Sequence, residues 1–189
     1  MKQVLLAALC LWSLSLSGQT FSASGQLGWV FPGGSGINED NYDVSGGISF
    51  GGDLMYHLGD EAKLGVGLGY YSGILASSIF DAYGLQVFGV KGLYELKPKG
   101  FTPFVGLTLG ASSLTTPMIT INGVVTTQAL TATRLGLVPQ VGIKIGGLYL
   151  AADYIVPANF DIEENMTTGG VGGLLISLGY RLKIDISDL

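Results

Sequence analysis

The 189-residue chain holds one histidine and one cysteine, so any chemistry it performs has few places to start. His57 falls in a predicted turn, where a solvated surface imidazole is the simple reading. No other side chain offers a general base near neutral pH. Zinc or haem ligation fails for want of Cys and His partners. Cys10 invites a lipid-attachment reading, but Leu9 is larger than the small residue such a site needs before it. The residues therefore predict no catalytic centre, no metal and no cofactor.

Charged side chains are the next candidates. Asp53, Lys91, Glu95, Arg134, Lys144, Asp153, Arg181 and Lys183 each fall on the small, polar face of an alternating segment. Groups confined to one such face can pair into an internal polar plug, or can line a path for water or a small solute. A second acidic set, Glu39, Asp40, Asp43, Asp81, Asp161, Glu163 and Glu164, falls in predicted loops that carry no Lys or Arg. It is read as solvated, since no spacing there resembles a calcium loop, and its sign disfavours nucleic acid.

The elements that must hold these residues follow from composition and periodicity. Only 12% of residues are charged, about half the share usual in soluble domains, and the mean hydropathy is +0.48. Such a chain calls for a non-aqueous surround. Beyond the N-terminus every apolar stretch is interrupted by Gly, Ser, Thr or a charge, which excludes helical spans of about 20 apolar residues. A closed β-barrel is the remaining way to cross a bilayer with every backbone group hydrogen-bonded. Residues 1–18, with Lys2 ahead of an apolar run and then Ser17 and Gly18, read as a secretory signal peptide, leaving residues 19–189 as one barrel domain.

Period two is the strand signature, because neighbouring side chains point to opposite faces. Val44, Ile48, Phe50, Leu54 and Tyr56 alternate with Ser45, Gly47, Ser49, Gly51, Asp53 and Met55. Leu64, Val66 and Leu68 alternate with Gly65, Gly67 and Gly69, and Phe88, Val90 and Tyr94 with Gly89, Lys91 and Glu95. Later, Leu135, Leu137, Val141 and Ile143 oppose Gly136, Gln140 and Gly142, and Leu174 to Ile184 repeat the pattern. Less regular strands near 25–31, 101–113 and 148–156 bring the total to eight antiparallel strands in up-and-down order. Pro139, unable to donate to a ladder, predicts a bulge.

Predicted connections alternate in length. Segments 32–42, 72–83, 115–127 and 157–170 are long, whereas 57–61, 97–100 and 146–147 are tight, as in bacterial barrels with short periplasmic turns and longer outer loops. Outward aromatic residues collect at the two ends, with Tyr56, Tyr94, Phe101 and Tyr180 at the turn side and Trp29, Phe31, Tyr70 and Tyr154 at the loop side. A soluble eight-stranded barrel of lipocalin type would invert the faces, placing charges outside and large apolar groups within.

The whole chain beyond the signal segment resembles the small outer-membrane β-barrel family of the OmpX and OmpA transmembrane type. Its last strand, Ser177-Leu178-Gly179-Tyr180-Arg181-Leu182-Lys183-Ile184, is similar to that family's terminal assembly signal, carried here by Ser177, Gly179, Leu182 and Ile184. Residues 185–189 extend past the point where the family usually ends on an aromatic residue. The resemblance implies an integral outer-membrane location with both termini in the periplasm. It also implies contact with outer-membrane lipid, lipopolysaccharide and the assembly machinery.

The loops point to function. Ile119-Thr120-Ile121-Asn122-Gly123-Val124-Val125 is a hairpin signal, since Asn-Gly suits a type I′ turn between β-branched runs. An exposed ribbon of that kind can pair with an extracellular partner's strand. Two function classes stay open: a non-enzymatic surface or structural protein, and a barrel that passes or binds small or apolar molecules. A lipid-modifying enzyme, which occurs in the family, stands behind both, because His57 falls at the wrong end for the family's catalytic rim.

Overall fold

In this computed structural model the described residues are 20–35, 44–58, 63–77, 82–96, 101–116, 119–121, 124–127, 129–163, 166–167 and 169–185. The expected signal segment lies outside them, as do Asn122 and Gly123. Eight strands form the barrel: β1 (Thr20–Gly33), β2 (Gly47–Leu58), β3 (Leu64–Ser77), β4 (Ala82–Glu95), β5 (Thr102–Thr115), β6 (Thr131–Ile145), β7 (Leu148–Ala158) and β8 (Val171–Asp185). Each pairs antiparallel with its sequence neighbour. The first and last strands pair from Thr20↔Asp185 to Gly33↔Gly172, which closes the barrel and leaves no edge within it.

The alternation of the sequence is the alternation of the wall. Leu27, Ile48, Leu54, Val90, Leu135, Val141 and Leu178 stand exposed on the outside, while Asp53, Lys91, Glu95 and Arg181 are buried within. Each outward Leu or Val would gain about 1.5–3 kcal/mol by leaving water, so this surface fits hydrocarbon and is the reverse of a soluble barrel. Outward aromatic rings pair across strands, Phe21 with Tyr56 at 6.2 Å and Phe50 with Tyr70 at 6.1 Å between centroids.

Three expectations change. Segment 72–83 is not a long loop: β3 runs to Ser77 and β4 starts at Ala82, with the ladder Tyr71↔Val87 to Ala76↔Ala82 unbroken. Ser72 and Gly73 looked like loop residues, yet both are buried within the ladder, Gly73 facing inward against Val30 and Ser72 beside Phe50 on the other face. Pro139 produces no bulge, because its register with β5 continues through Leu107↔Pro139. The ladder with β7 instead reaches only Gln140, which keeps the residue without an N–H out of that pairing. The register shift falls between Ile155 and Ala158 of β7, around Pro157. Finally, Val44–Ser45 forms a separate short strand against Ala76 and Ser77, set off from β2 by Gly46.

At the end that carries Thr20 and Asp185, β6 and β7 join through the two-residue turn Gly146-Gly147, where Gly146 takes φ 60°. That left-handed backbone is open to glycine at little cost. At the opposite, far end, Ile119–Ile121 pairs with Val124–Thr127 as a two-stranded sheet of its own, and Asp161–Glu163 pairs with Met166–Thr167.

Candidate functional site

The lumen is filled in two unlike layers. Toward the far end, Val30, Leu75, Leu85, Val87, Leu114, Val138, Ile155 and Leu175 project inward, and Phe160 turns in from the connection after β7; all are buried in one apolar cluster. Every strand but β2 contributes one or two residues, so the cluster spans the bore. No charged side chain belongs to it. The small, polar inward face expected from the sequence did not include this cap. The available signal was a local loss of alternation, as in Tyr154-Ile155-Val156 and Leu174-Leu175-Ile176, where both faces turn apolar.

Toward the terminal end the lumen is ionic. Lys91 Nζ donates to Asp53 Oδ2 at 2.6 Å, and Arg181 Nη2 donates to the same oxygen at 3.0 Å. Arg181 Nη1 reaches Glu95 Oε1 at 3.1 Å, joining the two carboxylates through one guanidinium. Glu95 also accepts from Lys144 Nζ at 2.6 Å on both oxygens and from Lys183 Nζ at 2.9 Å. Every one of these partners comes from a different strand or from an opposite wall, so the network ties β2, β4, β6 and β8 together across the bore. Buried charges persist only when paired and hydrogen-bonded in this way.

Aromatic rings hold the central guanidinium in place. Arg181 Cζ lies 5.7 Å from the Phe104 ring centroid and 5.3 Å from that of Tyr149, and the two rings meet edge to face at 5.9 Å. Gly142 and Gly179 make this possible, since a Cβ at either would overlap the Phe104 or Tyr149 ring. Lys91 is likewise held 5.4 Å from the Tyr71 ring centroid.

Asp153 belongs to a neutral-donor set between the layers. It accepts from Gln26 Nε2 at 3.0 Å and Ser177 Oγ at 3.4 Å, and Gln26 in turn accepts from Tyr149 Oη at 3.1 Å. The structure thus brings Asp53, Lys91, Glu95, Lys144, Asp153, Arg181 and Lys183 into one bore. Arg134 is the exception and corrects its inward assignment. It has the right parity, but it sits four residues into β6 at the far end, where it is exposed and pairs with Asp161.

His57 also differs from its expected place in a surface turn. Strand β2 continues past it, and the ring is buried inside the barrel, 2.7 Å from Ser22 Oγ through Nε2. The parity that puts Asp53 and Met55 inside also carries His57 inside, and only the strand boundary was misjudged. In β8, Ser177 and Gly179 face inward while Leu182 and Ile184 stand exposed on the outer wall.

Comparison with known proteins bears on the fold. No protein-family model matches the chain, and no curated protein matches its sequence. Among solved structures, the crystal structure of Neisserial surface protein A superimposes with a TM-score of 0.54 at 15% identity, covering 89% of this chain and 100% of the other. The N-terminal β-barrel domain of Pseudomonas aeruginosa OprF gives a TM-score of 0.46 at 14% identity, covering 88% and 100%. Ail, the attachment invasion locus protein of Yersinia pestis, gives 0.46 at 13%, also covering 88% and 100%. The fold is that of the small eight-stranded outer-membrane barrels.

Proposed function

We propose that this chain is an integral outer-membrane protein with a non-enzymatic structural or surface-interaction role, exercised through the far-end connections rather than through its bore. The observation that carries this reading is the apolar cap. A lumen closed by Leu75, Leu85, Ile155, Leu175 and Phe160 offers ions and polar solutes no wet path, so the residues open to contact are those beyond the wall. The burial of His57 beside Ser22 at the terminal end supports a non-catalytic reading, because neither side chain is accessible to a substrate.

In this reading the termini lie in the periplasm and the far end at the cell surface. The ribbon Ile119–Ile121 with Val124–Thr127 stands apart from the barrel sheet and presents backbone edges to which an extracellular protein strand can add. Assembly is guided by Ser177, Gly179, Leu182 and Ile184, and the outer wall contacts lipid and lipopolysaccharide.

An epitope inserted between Asn122 and Gly123 tests the placement. Antibody labelling of intact cells is the expected result; labelling only after the outer membrane is permeabilised would sink the reading. Deleting residues 119–125 should then weaken adhesion of expressing cells to a partner surface while the barrel still shows heat-dependent electrophoretic migration.

A further inference from the structure

At the terminal end the ionic layer opens to the outside. An open cavity of about 360 Å³, within the roughly 300–1,000 Å³ of small-ligand pockets, is lined by Lys144, Arg181, Lys183, Glu95, Thr102 and Tyr180 together with the Gly146-Gly147 turn. Its charges do not balance. Three cations converge on Glu95, whose oxygens already accept from all three, and Asp53, the other carboxylate of the network, is occupied by Lys91 and Arg181. Among the described residues, four cations therefore meet two carboxylates in this layer, with Asp153 set apart among neutral donors. The surplus lies nearest the opening, where the Lys183 side chain is 30% exposed and that of Lys144 is 9%.

The walls of the cavity say where its ligand comes from. Tyr180 and Leu182 stand on the outward, lipid-facing side of β8, whereas Arg181 and Lys183 face the bore. The cavity thus straddles the rim between lumen and lipid wall. A lipid whose acyl chains run along the outer wall can turn its headgroup over this rim onto the lysines, with the Tyr180 ring at the level of the interface. Basic pockets at the membrane surface take anionic headgroups for the same electrostatic reason.

We propose that this rim cavity binds the headgroup phosphate of an anionic phospholipid in the periplasmic leaflet, with Lys183 and Lys144 as its cationic partners. This rests on the membrane reading above. Bound phosphate would complete the charge balance of the ionic layer, coupling the barrel's terminal end to the composition of its leaflet.

The test begins with protein folded into phosphatidylcholine vesicles, where a heat-dependent gel shift shows the barrel; its failure would strike the membrane reading, not this site. Spin-labelled phosphatidylglycerol and phosphatidylcholine are then compared for association with the folded protein. About a fivefold preference for phosphatidylglycerol is expected, the scale of one well-placed lysine, and K183Q should remove most of it. That variant leaves Glu95 paired with Lys144 and Arg181, so folding is retained, and its own gel shift checks this.

Preference unchanged in K183Q, or no preference in the native chain, overturns the proposal. Inorganic phosphate is added at an ionic strength matched with chloride as the remaining arm. If it stabilises the native barrel, and not K183Q, while neither lipid is preferred, the cavity takes free phosphate and the lipid assignment falls.

Discussion

The two ends of the bore are built on opposite principles. The far end is packed like the core of a soluble protein, with Val, Leu and Ile from seven of the eight strands and Phe160 from the connection after β7 in one cluster. The terminal end is held by directed ion pairs around Glu95, Asp53 and Arg181. Apolar packing is non-directional and closes the bore to water. An ionic network fixes which strand stands opposite which, and it tolerates an opening at its edge. The contrast shows why the charges that do face the bore gather in one layer: each there has a partner within hydrogen-bond reach, which a dispersed set would lack.

If the layers differ in this way, they should fail differently. The largest loss is expected from Glu95→Ala, which leaves Lys144, Arg181 and Lys183 facing one another without their shared carboxylate. Removing one side of a buried pair costs about 3–5 kcal/mol, read as a fall in the urea midpoint of the vesicle-inserted barrel. Leu85→Ala should cost about 2–5 kcal/mol through lost contacts and residual cavity. Because the two sites share no partner, the double variant should be additive to within about 0.5 kcal/mol. A larger coupling would mean that cap and network form a single unit.

A finer comparison lies within the polar groups. Asp153 accepts from Gln26 and Ser177, which are neutral, whereas Asp53 holds Lys91 and Arg181. Asp153→Asn should therefore lower the urea midpoint by no more than about 1.5 kcal/mol equivalent, and Asp53→Asn by clearly more. Equal losses would mean that Asp153 shares the ionic network's charge. The smallest effect is expected at Arg134→Ala, where an exposed pair with Asp161 is worth about 0–1 kcal/mol.

Much of this architecture was legible in the residues, and the parts that were not share a cause. Period two in stretches such as Phe88, Val90 and Tyr94 against Lys91 and Glu95 assigns a side chain to a face with no knowledge of its neighbours. Height along the barrel and partner across the bore are another matter. They depend on register between strands, which places Lys91 opposite Asp53 at a sequence separation of 38 and Glu95 opposite Lys144 at 49. Arg134 shows the limit, since parity put it inside and height put it beyond the sealed section. His57 was lost to a strand boundary misplaced by two residues, and Phe160 to a connection that folds back into the bore.

The apolar cap was obscured in the same way. Val30, Leu75, Leu114 and Ile155 are inward residues on separate strands, and no local window holds enough of the cluster to announce a core. Glycine misled as well. An inward glycine carries no side chain to announce a contact, yet Gly142 and Gly179 are the spaces that the Phe104 and Tyr149 rings occupy around Arg181.

Planar-bilayer recording on the refolded chain asks whether the apolar cap closes the bore. A flat baseline is expected, with no stepwise conductance attributable to inserted barrels whose presence is verified by heat-dependent migration. Reproducible single-channel steps from the native chain would contradict it, opening the cap to water and returning the function to passage through the lumen.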